Sequence, residues 1–351
     1  MDGDRQDIPG ANLDPARTKL MAFKLRMAEL RPAAPDRAPQ TLSTSEAVPP
    51  TLRPVIDVMG ATETGRQVLD SLRAEGVQIR QSDAALDAMA PAGLRLMALY
   101  DPDRKQITLR ETGVDAESAA SLLVHEGRHA LQDAQGALDF QKEPWRLTAG
   151  GFMDAVRGAE ADAHAVQAQF AYERRQSGHP EAWRFMERFN RPTVEGFDRA
   201  AARDSAQALS GEARAAAFDA FLGDAAQTRT YVQMNFRQWV ASLAEAPSAQ
   251  AVGSRGYDPA VLGQGGGRLL DPSDARHCFD AETDAKLTGA ARQLVTLLRA
   301  TAQERARLLD RDEVKQALQT FQLNRGQVEQ MARPDPGRQA LLARSMQREG
   351  R

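Results

Sequence analysis

The sequence predicts an α+β protein: a small sheet beside two long helices, followed by a mostly α-helical C-terminal region. Three observations lead there. Strand-like runs occur only between residues 77 and 110. Two long stretches after them keep apolar or small residues at helical spacing. From Glu181 onward, helical patterns follow one another with no further strand signal. Composition agrees, because aromatics are only 5% of the chain and alanine is abundant, which suits helices with small packing surfaces.

A chain of 351 residues has room for two domains and a sizeable core. The expected division is a tail over 1–50, a core over 51–178 and a helical domain over 179–351. A net charge of −3 gives no reason to expect nucleic acid or an anionic membrane as partner. Cys278 is the only cysteine, so no intramolecular disulfide forms, which suits a reducing compartment. The start, MDGDRQDIPG, lacks a basic segment followed by an apolar run, and no stretch reaches the roughly eighteen apolar residues of a membrane span. The expected location is cytoplasmic, with a signal-peptide-independent export route left open.

In chain order, residues 16–30 form a basic amphipathic helix candidate, and 31–50, rich in proline, alanine, serine and threonine, a linker. The folded part begins near Arg53. A helix over 62–74 places Val68, Leu69 and Leu72 on one side and stops at Gly76. A strand over 77–80 and two more over 94–100 and 106–110 follow, the last two joined through Asp101-Pro102-Asp103-Arg104, a turn by its chemistry. Asp115 is a good N-cap, Glu117 belongs to a first turn, and Gly136 is a stop, so a helix fills the interval. A loop over 137–151 leads to a second long helix, from about Met153 to Gln176, with Phe152, Val156, Ala159, Ala163, Val166 and Phe170 as its stripe. Helices are then expected over 181–190, 194–209, 212–222, 228–244, 281–309, 312–323 and 338–348.

The chemistry sits in the first long helix, which reads His125-Glu126-Gly127-Arg128-His129. Histidines four residues apart lie on one helix face, roughly 40° apart around the axis, and can close on one zinc ion. The glutamate after the first histidine does not bind metal in such helices and serves as the base for a water. A third ligand must come from elsewhere. Glu160, at the edge of the second helix's stripe, fits that vacancy; His164, one turn further on, and Asp162 are the other positions.

These residues resemble a known family. The hairpin, then HEGRHALQ, then Glu160-Ala161-Asp162-Ala163-His164-Ala165 look like the gluzincins, zincin metallopeptidases of the H-E-x-x-H…E type. They look more closely like a group of bacterial proteins described only as metallopeptidases of unknown function. The resemblance spans roughly residues 60–175. It implies a zincin-like core, His125, His129 and Glu160 as zinc ligands, and Glu126 as general base. Two departures stand out. Gly127 occupies a position that is usually apolar, and close packing against the sheet is the expected reason. His164 stands where thermolysin-like members carry an aspartate that orients a zinc histidine, so that carboxylate must come from elsewhere.

An oxyanion stabiliser is also expected, with Tyr231, Tyr257 and Arg255 as candidates. Gly263-Gln264-Gly265-Gly266-Gly267-Arg268 lacks the ending of a phosphate-binding loop and reads as a connector. His277-Cys278 is too small a set for a metal site. The sequence therefore predicts a zinc-dependent peptidase acting on peptide or protein; the alternative is a catalytically inactive helical interaction protein with the same frame.

Overall fold

In a computed structural model of the chain, the described residues are 49–90, 95–203, 211–255, 257 and 277–333. The expected helices at 16–30 and 338–348, the linker up to residue 48 and the stretch from Gly263 to Arg268 lie outside them. The protein is mostly helical with one small sheet, an α+β composition. No helix among the described residues is long and apolar enough to cross a membrane.

The described residues divide into two compact units. The first takes those within Met1–Asp139 and Val156–Met234; the second takes those within Phe140–Ala155, Asn235–Asp258 and His277–Arg351. The helices between Glu181 and Met234, expected in a separate helical domain, thus belong with the histidine helix.

The first unit opens with α1 (Arg53–Gly60) and α2 (Glu63–Ala74), the latter started by Thr62, whose hydroxyl accepts from the Gly65 N–H at 3.0 Å. Strand β1 (Gln78–Gln81) is followed by α3 (Asp83–Met89), a short helix capped by Ser82 that the sequence reading passes over. Seven residues carry too little periodicity to be separated from a loop. The hairpin is β2 (Ala98–Asp101) and β3 (Gln106–Leu109), paired antiparallel with Tyr100 opposite Ile107. β1 pairs parallel with β3, giving the order β1-β3-β2. β2 is therefore an edge strand.

Helix α4 (Ala116–Ala134) starts at Asp115, whose carboxylate accepts from the Ser118 N–H at 2.8 Å. It packs on α1, α2, β2 and β3, which explains why its residues from Ser118 to Ala130 are nearly all buried instead of forming one stripe. Gly127 makes this packing close, but against helix α2; the expected packing against the sheet is not what the glycine serves. A Cβ built at Gly127 would stand 2.5 Å from Val68 Cγ1 of α2 and 3.4 Å from Leu72 Cδ1. The unit continues with α5 (Ala149–Gln176) from Val156, α6 (Glu181–Phe189), α7 (Arg191–Ala201), α8 (Glu212–Gly223) and α9 (Ala225–Ser242) as far as Met234.

The second unit holds the start of α5, the end of α9, α10 (Ala281–Arg299), α11 (Ala302–Leu308), α12 (Asp312–Thr320) and α13 (Arg325–Met331). The expected single helix over 281–309 is broken at Ala300, because Thr301 and Glu304 form a capping box that begins a new helix. Rings of Phe236, Trp239 and Phe321 pack together here, and Asp154 accepts from the Cys278 N–H at 3.0 Å.

Val68 is β-branched and has little room to turn away, so added bulk at Gly127 strains the α2–α4 contact. Gly127→Ala is expected to lower stability by about 1–3 kcal/mol in urea unfolding, outweighing the better helix propensity of alanine. The same substitution in a Val68→Ala background should cost less; an equal cost in both backgrounds would locate the strain elsewhere.

Candidate metal centre

Helical geometry alone sets His125 and His129 side by side, and the structure buries both to 5% exposure. Their Nε2 atoms stand 3.2 Å apart. The third side chain is fixed by how α5 lies along α4. Polar links join the two helices from end to end: Arg174 grips Glu117, Gln167 donates to Ser121 Oγ at 3.0 Å, Arg128 donates to Asp162 at 2.6 Å, and Gln132 donates to the Ala159 carbonyl at 2.9 Å. Residue numbers rise along one helix as they fall along the other, so the pair is antiparallel. That register puts Glu160 across from the histidines. Its Oε2 lies 3.5 Å from His125 Nε2 and its Oε1 3.5 Å from His129 Nε2.

His125, His129 and Glu160 thus offer ligand atoms that all lie within 4.8 Å of one another, which could hold a metal ion. Of the other two positions considered on α5, Asp162 turns toward Arg128 and Gln132. His164 stacks on His125, with ring centroids 4.3 Å apart, and its Nδ1 faces Gln167 Oε1 at 2.9 Å. Neither belongs to the converging set. Glu117, His179 and Glu181 form a second such group, but they are half-buried or exposed and Arg174 already engages Glu117.

The orientation of His129 follows from a hydrogen-bond chain. Gln132 Nε2 donates to the Ala159 carbonyl at 2.9 Å and to Asp162 Oδ2 at 2.8 Å, both of which can only accept. Gln132 Oε1 therefore faces His129 Nδ1, 2.7 Å away, and that nitrogen carries the proton. Nε2 is left with its lone pair toward Glu160 and His125. Asp162 thus stands behind His129, one residue removed, through Gln132. Gln132 sits three positions after His129 on the same helix, a spacing visible in the sequence, but its partner on α5 is not.

Glu126 is held from the sheet side. Its Oε2 accepts from the Tyr100 N–H of edge strand β2 at 2.9 Å. Tyr231, on α9, donates to Glu160 Oε2 at 3.0 Å. Burial, and then the charges of Glu160 and Glu126, push its phenol well above the ordinary tyrosine range, so it stays a donor at neutral pH. Arg157 brings Tyr231 there: fully buried, it donates to the Leu222 carbonyl at 2.7 Å and Thr228 Oγ1 at 2.8 Å, holding the α8–α9 junction. Thr228 and Arg157 each lie one turn before the residues that meet, Tyr231 and Glu160. Tyr257 and Arg255, the other expected oxyanion candidates, belong to the second unit.

A cleft opens onto this group. Leu96, Met97 and Ala98 line one wall, Leu122 with His125 and Glu126 another, and α6 a third.

A family model whose description reads "Putative metallopeptidase family (DUF6782)" matches residues 34–255. No curated protein and no solved structure matches the chain.

Asp162 offsets the buried charge of Arg128 and satisfies Gln132 at once. Asp162→Ala is expected to lower stability by about 3–5 kcal/mol, because it strands a buried guanidinium. Asp162→Leu combined with Arg128→Met should recover most of that loss in the same urea titration; a double variant as unstable as Asp162→Ala would refute the assignment.

Proposed function

The chain belongs to family DUF6782, and from that premise we propose that it is a zinc-dependent peptidase with a zincin-like core, in which His125, His129 and Glu160 hold the metal and Glu126 is the general base. One observation carries the reading. Donors bound at 2.0–2.1 Å around a tetrahedral zinc stand roughly 3.3 Å from each other. The two Nε2 atoms are 3.2 Å apart and each is 3.5 Å from a Glu160 oxygen. Two imidazole nitrogens and a carboxylate, all buried, form a donor set that a divalent cation satisfies better than water does.

A zinc ion held there would polarise a carbonyl and bring the pKa of an adjacent water down toward about 7. The protein's own groups do the rest. Glu126, anchored by the Tyr100 N–H, takes the proton of the attacking water and returns it to the departing amine. Tyr231, kept protonated by its surroundings, would turn its single O–H from Glu160 to the carbonyl oxygen as charge develops there. Substrate backbone would lie along β2. The Arg110 N–H reaches the Met97 carbonyl at 2.9 Å, whereas the Tyr100 N–H turns to Glu126; alternation then puts the N–H and C=O of Ala98 on the open edge of the strand, beside the cleft.

Metal analysis of the purified chain should find one tightly held zinc. His125→Ala and Glu160→Ala should each lose it. Glu126→Gln should keep the metal while hydrolysis of a peptide library falls by about 10²–10⁴-fold. Zinc retained in both ligand variants would sink the ligand assignment. Zinc bound by a wild-type chain that turns over no peptide would favour a non-catalytic interaction role.

A further inference from the structure

One wall of the cleft carries chemistry that the proposed reaction does not use. Phe185, Met186 and Phe189 of α6 line it, together with Leu122 and Met97. Phe189 is the only large hydrophobic side chain exposed among the described residues, at 36%, and it sits on this wall with its ring 4.9 Å from that of Phe185. Among the described residues no lysine or arginine lines the cleft, and the ionisable groups that do, His125, Glu126, Glu160, His164 and Tyr231, lie at the candidate metal centre or in contact with it.

Asn190 joins α6 to α7 and also lines the cleft. The residue is 2% exposed. Its Oδ1 accepts from the Thr193 hydroxyl at 2.7 Å, but its Nδ2 has no hydrogen-bond partner among the described residues. A buried amide donor without an acceptor is unfavourable unless something else supplies one. With one half of the amide engaged by Thr193, the NH₂ half remains for a ligand, and an NH₂ group matches a backbone carbonyl.

From the apolar wall and this donor together, we propose that the cleft selects peptide segments bearing a large apolar side chain, which rests against Phe185, Phe189 and Leu122, while Asn190 Nδ2 holds a backbone carbonyl of the same segment. The inference rests on the peptidase reading for its ligand, since a peptide supplies both the side chain and the carbonyl. Phe189 sets selectivity and Asn190 sets affinity for backbone, so the two are separable.

The test uses the full chain as its Glu126→Gln variant, loaded with zinc, and fluorescein-labelled peptides with two alanines on each side of a central leucine, phenylalanine, glycine or aspartate. Fluorescence anisotropy should show leucine and phenylalanine binding about tenfold or more tighter than glycine and aspartate. Adding Phe189→Ser, at an exposed position, should collapse that preference and leave the glycine peptide unaffected. Adding Asn190→Asp, which keeps the shape and the bond to Thr193 but removes the donor, should weaken the leucine, phenylalanine and glycine peptides alike by about tenfold, with their ratios unchanged. Equal binding of all four peptides, no binding at all, or variants that leave both affinity and preference intact would overturn the proposal. Wild-type cleavage of a peptide library without apolar preference would overturn it too, yet leave the peptidase standing. Apolar-selective binding without any wild-type cleavage would uphold it and remove the peptidase.

Discussion

The antiparallel register of α4 against α5 is the constraint on which the rest of the first unit depends. It is written in polar side chains: the Glu117–Arg174, Ser121–Gln167, Arg128–Asp162 and Gln132–Ala159 links follow one another along the shared face. A slide of one helix turn would break every link and carry Glu160 past the histidines. Apolar ridges alone specify such a register weakly, because neighbouring positions offer similar burial. Buried polar partners do not allow that freedom, since each misplaced group would be left without a hydrogen bond.

The same links make the histidine helix a rigid platform. His129 is oriented by Gln132, Gln132 by Asp162 and the Ala159 carbonyl, and Asp162 is fixed by Arg128. No member of the chain can turn without stranding the next. Opposite it, Gly127 lets α4 approach Val68 and Leu72 of α2. The helix is thus clamped from two sides, which holds its imidazoles in place before any ligand arrives.

Three further elements reach the candidate centre from different parts of the fold. The edge strand β2 anchors Glu126 by a backbone N–H, so the proposed base is tied to the surface on which substrate would lie. Arg157 gathers the end of α8 and the first turn of α9, and Tyr231 arrives against Glu160 as a result. Helix α6 supplies the apolar wall and ends at Asn190. A single short sheet and helices distant in sequence therefore build one cleft, whose lining joins the candidate centre to an apolar wall on α6.

By itself the sequence determined whatever one helix determines. The pairing of His125 with His129, the start of α4 at Asp115 and the neighbourhood of Gln132 and His129 all follow from 3.6 residues per turn and local capping. The family was legible too, because HEGRHALQ lies within one such helix and the hairpin before it and residues 160–165 after it are each local stretches. Short helices such as α3 were not legible, having too few residues to show a period. What the tertiary structure alone decided is which residue of α5 faces the histidines, and that Asp162, Tyr231 and Arg157 stand behind them. Helical spacing ranks Glu160 ahead of His164, one turn further on, and of Asp162, which it turns away; which of them meets the histidines depends on a contact between side chains dozens of residues apart, which no local periodicity encodes.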